Sequence, residues 1–181
     1  MKTINKKFFL YKNNKSKKSK KKTIKNKKCI AVLKSDESIK NNSVNGVVNF
    51  IQKNNYLLIK YSIKNLSDGL HGFHIHKCGD LTKGCHSGCE HFNPFNKKHG
   101  SLNSNNSHAG DLGNIISINN IAEGIIKTNK ISLNNNKKNI IGRMVIVHEN
   151  IDDCGNGKNE ESLITGNAGK RLACGIIGIS N

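Results

Sequence analysis

Short apolar runs separated by Asn, Asp and Gly clusters set the pattern of this chain. Val47-Val48-Asn49-Phe50-Ile51, Tyr56 through Ile63, Ile115-Ile116-Ser117-Ile118, Ile140 through Val147 and Gly175-Ile176-Ile177-Gly178-Ile179 are β-branched and largely alternating. That is the signature of half-buried strands. No stretch carries a persuasive helical period. Strands at these spacings predict an all-β sandwich or barrel. Two long segments, about 77–110 and 149–171, lack strand patterning and hold most of the unusual residues. Loops of that length in a compact domain are usually functional.

Charge divides the chain. The 181 residues carry a net charge of +18, yet residues 1–28 alone hold 13 lysines and no acid. A lysine run repels itself and has nothing to bury, so 1–28 is expected to be a disordered tail and 29–181 a single folded domain. Phe8-Phe9-Leu10-Tyr11 is too short for the apolar core of a secretory signal, and a tail without Arg does not resemble a mitochondrial presequence. Lys17-Lys18-Ser19-Lys20-Lys21-Lys22 could serve as a nuclear address or bind nucleic acid weakly, although a solvated tail is the plainer reading. No apolar run approaches the ~20 residues of a membrane span. A cytoplasmic protein is therefore expected, with nuclear entry through the tail as an option.

The chemistry lies in the histidines. His74, His76, His91, His99, His108 and His148, with Asp111 as carboxylate, fall in the order of a two-metal site. Imidazole suits copper and zinc, and a carboxylate among imidazoles suits zinc. On an extended segment His74 and His76 leave the same face. His148 ends a strand, so two strands could offer three nitrogens to one ion. His91, His99, His108 and Asp111 lie on or beside the first long loop. A single histidine is more often a hydrogen-bonded core or surface residue, and His71 and His86 are read that way.

The motifs Gly69-Leu-His-Gly-Phe-His-Ile-His76, His91-Phe-Asn-Pro94, His108-Ala-Gly-Asp-Leu-Gly-Asn114, Ile140 through Glu149, Asn159-Glu-Glu-Ser162 and Gly166 through Ile179 recur in one known order. From Cys29 onward the chain resembles the intracellular copper–zinc superoxide dismutases. The resemblance implies an eight-stranded Greek-key β-barrel with two long functional loops, a homodimer, and superoxide as substrate. It implies copper on His74, His76, His91 and His148, and zinc on His91, His99, His108 and Asp111, with His91 bridging the two metals. It gives Asp152 the role of hydrogen-bonding a ligand of each metal, Arg171 that of guiding the anion, and Thr165 that of narrowing the channel. It also selects one disulfide, Cys85 to Cys174. Cys29, Cys78, Cys89 and Cys154 would then be unpaired, which argues against secretion. Cys89, two residues from His91, could instead compete for metal or for Cys85.

Some positions depart from the family pattern. Asn150 and Ile164 stand at rim positions that are often lysine, unless Lys158 and Lys170 substitute. Cys78 stands near the expected dimer contact where an aromatic is common, while Gly79, Ile141, Gly142 and Ile179 fit. The alternative function is a non-catalytic copper chaperone or a metal-sequestering decoy, for which loss of a copper ligand or of Arg171 would speak. A copper-delivery chaperone is a further expected partner.

Overall fold

A computed structural model describes residues 27–134 and 137–181. The expected tail therefore lies almost wholly outside the described residues, and its Lys28 opens a strand instead. Ten strands follow: β1 (Lys28–Ser35), β2 (Asn45–Gln52), β3 (Leu57–Lys64), β4 (Gly69–His76), β5 (Thr82–Cys85), β6 (Asp111–Ser117), β7 (Ile121–Thr128), β8 (Met144–His148), β9 (Arg171–Ile176) and β10 (Gly178–Ile179). The one α-helix among the described residues, α1 (Ser162–Thr165), is a single turn.

Eight strands join in the order β6-β4-β8-β9-β1-β2-β3-β7, with β10 added on β1. All these pairings are antiparallel. The two end strands meet through the tight turn that bridges Ile118 to Ile121, so the sheet nearly closes into a barrel. Closure hides the backbone edges that an open sheet would expose. The order is that of the predicted Greek-key barrel.

Alternation fills the barrel. Cys29, Ala31 and Leu33 of β1, Val48 and Phe50 of β2, and Leu57, Ile59 and Ile63 of β3 point inward and are buried. On β4, Phe73 and Ile75 join that core, but His74 and His76 on the opposite face are buried as well. They are covered from outside by the long loops. A second apolar cluster of Cys85, Met144, Ile146 and Cys174 packs on the same outer face and seats the first loop. Each large aliphatic side chain buried in this way contributes roughly 1.5–3 kcal/mol.

Two expectations change. The run Ile140 to Val147 is a strand only from Met144. Ile140 is buried in the core within a turn closed by the Arg143 N–H donating to the Ile140 carbonyl at 3.1 Å, so its apolar character reflects packing rather than strand. The cysteines also pair further than expected. Cys85 joins Cys174, but Cys78 and Cys89, expected to be free, form a second disulfide with Cα atoms 5.6 Å apart. The reason is local. Beyond the antiparallel bridge between His76 and His91, the Lys77 N–H donates to the Glu90 carbonyl at 2.9 Å and the Cys78 N–H to that of Gly88 at 3.0 Å. The loop thus returns alongside its own start and brings the two sulfurs together. Cys29 and Cys154 remain free thiols.

Candidate metal centre

Strand geometry supplies the first half of the site. His74 and His76 project from β4, and β8 beside it ends in His148, where a register shift against β9 turns the ring toward them. His76 Nε2 and His148 Nε2 lie 3.3 Å apart. The returning loop adds His91, held in place as the Phe92 N–H donates to the Ile75 carbonyl at 2.8 Å. His74, His76, His91 and His148 form one buried group whose ligand atoms lie within 4.8 Å of one another.

Asp111 organises the second half. Its Oδ2 accepts the backbone N–H groups of Gly100 at 3.0 Å and His108 at 2.9 Å, which pins the loop. Its Oδ1 then faces three ring nitrogens: Nδ1 of His91 at 2.9 Å, of His99 at 3.1 Å and of His108 at 3.1 Å. A tetrahedral zinc with bonds of about 2.0–2.1 Å separates its donor atoms by about 3.3 Å, so only a small expansion is needed to admit the ion. His91 belongs to both groups.

Between them stands Asp152. Its Oδ2 lies 2.9 Å from His74 Nε2 and its Oδ1 2.7 Å from His99 Nε2, so one carboxylate orients a histidine from each group. Asn114 clamps the Asp152 backbone in both directions, at 2.8 and 2.7 Å. Gly166, at φ 72°, closes α1 directly over this carboxylate, where any Cβ would collide with it.

Charge states favour ligation in the all-imidazole group. Burial, followed by repulsion from neighbouring imidazoles, pushes His74 and His76 well below the usual histidine range. Burial lowers His91 despite its hydrogen bond to Asp111, and burial with repulsion from His91 lowers His148 to about 3. These rings are neutral at pH 7, the form that binds metals. For His99, burial disfavours the charge, but the carboxylates of Asp111 and Asp152 on either side of the ring outweigh it and raise the ring to about 9. Burial opposes ionisation of Asp111, yet its three histidine partners hold it well below the carboxylate range. Three buried nitrogens, His74 Nδ1, His91 Nε2 and His99 Nδ1, make no hydrogen bond. Leaving polar atoms buried and unpaired is costly, and a bound cation in each group would satisfy them. The donor set fits copper in the all-imidazole group and zinc in the group with a carboxylate.

The family model of the copper/zinc superoxide dismutases matches residues 44–177. The copper–zinc superoxide dismutase 5 of Dictyostelium discoideum is 48% identical over 144 residues, covering 78% of this chain and 95% of that protein. This chain belongs to the copper/zinc superoxide dismutase family. Superoxide dismutase A of Xenopus laevis is 49% identical over 136 residues, 75% of this chain and 89% of its own. An extracellular copper–zinc superoxide dismutase of Brugia pahangi is 46% identical over 160 residues, with 83% and 75% covered. As a superoxide dismutase the protein turns superoxide and protons into dioxygen and hydrogen peroxide, with copper and zinc as its metals. Loss of a histidine of the all-imidazole group or of Arg171 would have favoured the decoy alternative, and all of them are present.

The dismutase site opens to solvent through a pocket of about 570 Å³ lined by His76, His91, His148, Thr165, Lys170 and Arg171, among others. Arg171 is half-buried at its wall. Its Nη1 donates to the carbonyls of Cys85 at 2.9 Å and His86 at 3.1 Å, and its Nη2 to that of Cys89 at 2.7 Å. Thr165, on α1, bonds back to Glu161, which also lines the pocket. Lys170 lies 3.5 Å from Glu149, so part of its charge is offset. Lys158 is not among the lining residues.

Of three supporting residues, His71 is a hydrogen-bonded core residue as expected, while Arg143 and Asn114 had been given no role. His71 is buried between the carbonyls of His148 and Ser67, each 2.9 Å away, and so anchors the end of β8. Arg143 stacks on the Phe92 ring at 3.7 Å and donates to the Lys77 carbonyl at 2.7 Å, bracing the loop that carries His91. The third is Asn114. It and His71 lay inside motifs already singled out, and the scarcity of Arg in a Lys-rich chain was a signal that both arginines use their fork geometry.

Proposed function

We propose that copper is bound by Nδ1 of His74 and Nε2 of His76, His91 and His148, and zinc by Nδ1 of His91, His99 and His108 with Oδ1 of Asp111. The observation that carries this reading is His91, which turns Nδ1 to Asp111 and leaves Nε2 buried without a partner in the other group. Copper held there would supply reversible one-electron redox chemistry between successive superoxide ions. When Nε2 of His91 is not on the metal it can hold one of the two protons consumed in making hydrogen peroxide, the other coming from solvent. Arg171 attracts and orients the anion beside His76 and His148, and Thr165 with Glu161 limits what enters. Asp152 keeps His74 and His99 aimed. Metal analysis combined with a superoxide-consumption assay tests the reading: one copper and one zinc per chain with activity supports it, and a fully loaded but inactive protein overturns it.

The enzyme is further read as a homodimer. Val32, Leu81 and Ile176 are exposed along one groove beside β1, and Ile179 on β10, which pairs with β1, is 71% exposed. Such apolar patches commonly mark contacts between copies. Sedimentation of the purified enzyme decides it. The cytoplasm stays an expectation from the sequence, its cysteine argument weakened because Cys78 and Cys89 are paired; relatives include extracellular forms, and cell fractionation distinguishes the two. Copper delivery by a chaperone and weak nucleic-acid binding through residues 1–28 remain expectations from the sequence.

A further inference from the structure

The carbonyl of Cys89 carries two loads. It accepts from Arg171 Nη2 at 2.7 Å and lies 2.9 Å from His76 Nδ1, so one oxygen orients both the guanidinium at the pocket wall and an imidazole of the copper group. Cys89 offers this oxygen from an unusual backbone conformation, φ 63° and ψ −152°. That region is readily open to glycine, and a side chain with a Cβ persists there only when its surroundings over-determine it. The two hydrogen bonds supply part of the hold. The rest is covalent, because Cys89 is bonded to Cys78. Cys78 is fixed in turn, its N–H donating to the Gly88 carbonyl at 3.0 Å just past the His76–His91 bridge.

We propose that the Cys78–Cys89 disulfide is a positioning device for the dismutase reaction, holding residue 89 in a glycine-like conformation so that its carbonyl fixes Arg171 and His76. The proposal rests on the reading of Arg171 as the anion-guiding residue and of His76 as a metal ligand. It explains the Cys85–Cys174 bond as only half of an arrangement. Two of the three carbonyls on Arg171 belong to cysteines, and each is tethered by a different disulfide. It also makes an asymmetric claim. Cutting the tether while Cys89 stays leaves a strained residue free to relax, which turns its carbonyl away. Cutting the tether while glycine replaces Cys89 leaves a residue at ease in the same conformation.

Cys78→Ser and the double variant Cys78→Ser/Cys89→Gly separate these cases, with copper and zinc content measured for each. Cys78→Ser is expected to consume superoxide roughly tenfold more slowly at equal metal content, as misplacement of reacting groups does. Its cupric electron paramagnetic resonance spectrum should change, because His76 is released. The double variant should recover most of the rate and the parent spectrum. Parent-like behaviour of Cys78→Ser overturns the proposal, as does a double variant no better than the single one, or non-reducing peptide mapping that finds both thiols free in active enzyme. Should Cys78→Ser fail to load metal, the double variant decides alone: loading and turnover near the parent support the proposal, and failure to load shows a purely stabilising bond. Arg171→Ala in the same assay isolates the underlying reading. If it runs at the parent rate, the guiding role is wrong; if it is slow while Cys78→Ser is fast, only the disulfide's role falls.

Discussion

Arg171 donates to the carbonyl of Cys85 at 2.9 Å, and three positions further along β9 Cys174 holds the sulfur of that same Cys85. One strand therefore grips one loop residue twice, through a charge-assisted hydrogen bond and a covalent bond. Closing a loop of 89 residues restrains the unfolded chain by roughly 4–5 kcal/mol in the chain-entropy account. Cys174→Ser should lower the melting temperature, weaken metal retention and slow turnover together, even without reductant. Cys154→Ser, at a free thiol, should melt like the parent. Equal melting of both variants would remove the structural importance of the bond.

Arg171 should matter more for rate than for folding. Its guanidinium spans three carbonyls on one side of the pocket, a fork that a lysine cannot reproduce. Arg171→Ala should slow superoxide consumption by roughly tenfold or more, in line with loss of local steering. Arg171→Lys should recover part of this by restoring charge without the fork. Metal content should stay near that of the parent in both, and a rate unaltered in both would exclude the role.

The two halves of the centre should respond separately. His148→Ala should release copper far more than zinc, since His148 belongs only to the all-imidazole group. His108→Ala should do the reverse. Elemental analysis after dialysis reads both outcomes, and equal loss of both metals in both variants would contradict the assignment.

Salt dependence tests the rim. Lys170 lines the pocket but is paired with Glu149 at 3.5 Å, and such an exposed pair is weak and readily screened. Glu149→Gln should raise the rate at low ionic strength, with the gain fading as the Debye length shrinks to about 8–10 Å near physiological salt. Ile164→Lys should act in the same direction. Deleting residues 1–28 should leave the rate and its salt dependence nearly unchanged, although 13 lysines are removed. A marked drop in rate on that deletion, at equal copper content, would tie the tail to catalysis.

The clustering of the histidines was legible because their residue types are chemically restrictive and their spacing follows the strands: His74 and His76 share a face of β4 by simple alternation. The Cys78–Cys89 bond was not legible, because it depends on the loop doubling back along its own first residues, a path written in hydrogen bonds rather than in composition. β1 and β7 went unassigned for a related reason. Lysines flank the apolar positions of the first, and Glu123, Gly124 and Lys127 interrupt the second, so neighbouring strands decide what local pattern leaves open. Ile140 shows the opposite error, an apolar residue read as strand that the core recruits from a turn.

Strand β4 serves two clients at once. Phe73 and Ile75 answer to the barrel interior, while His74 and His76 join the buried histidine group that could hold a metal ion. Because side chains alternate with a period of two, a single inserted or deleted residue would exchange these audiences. The imidazoles would face an oily interior and the phenylalanine would face the ions. Drift in this segment is therefore punished from both sides, whereas the long loops roofing it can vary in length as long as their few anchoring residues survive.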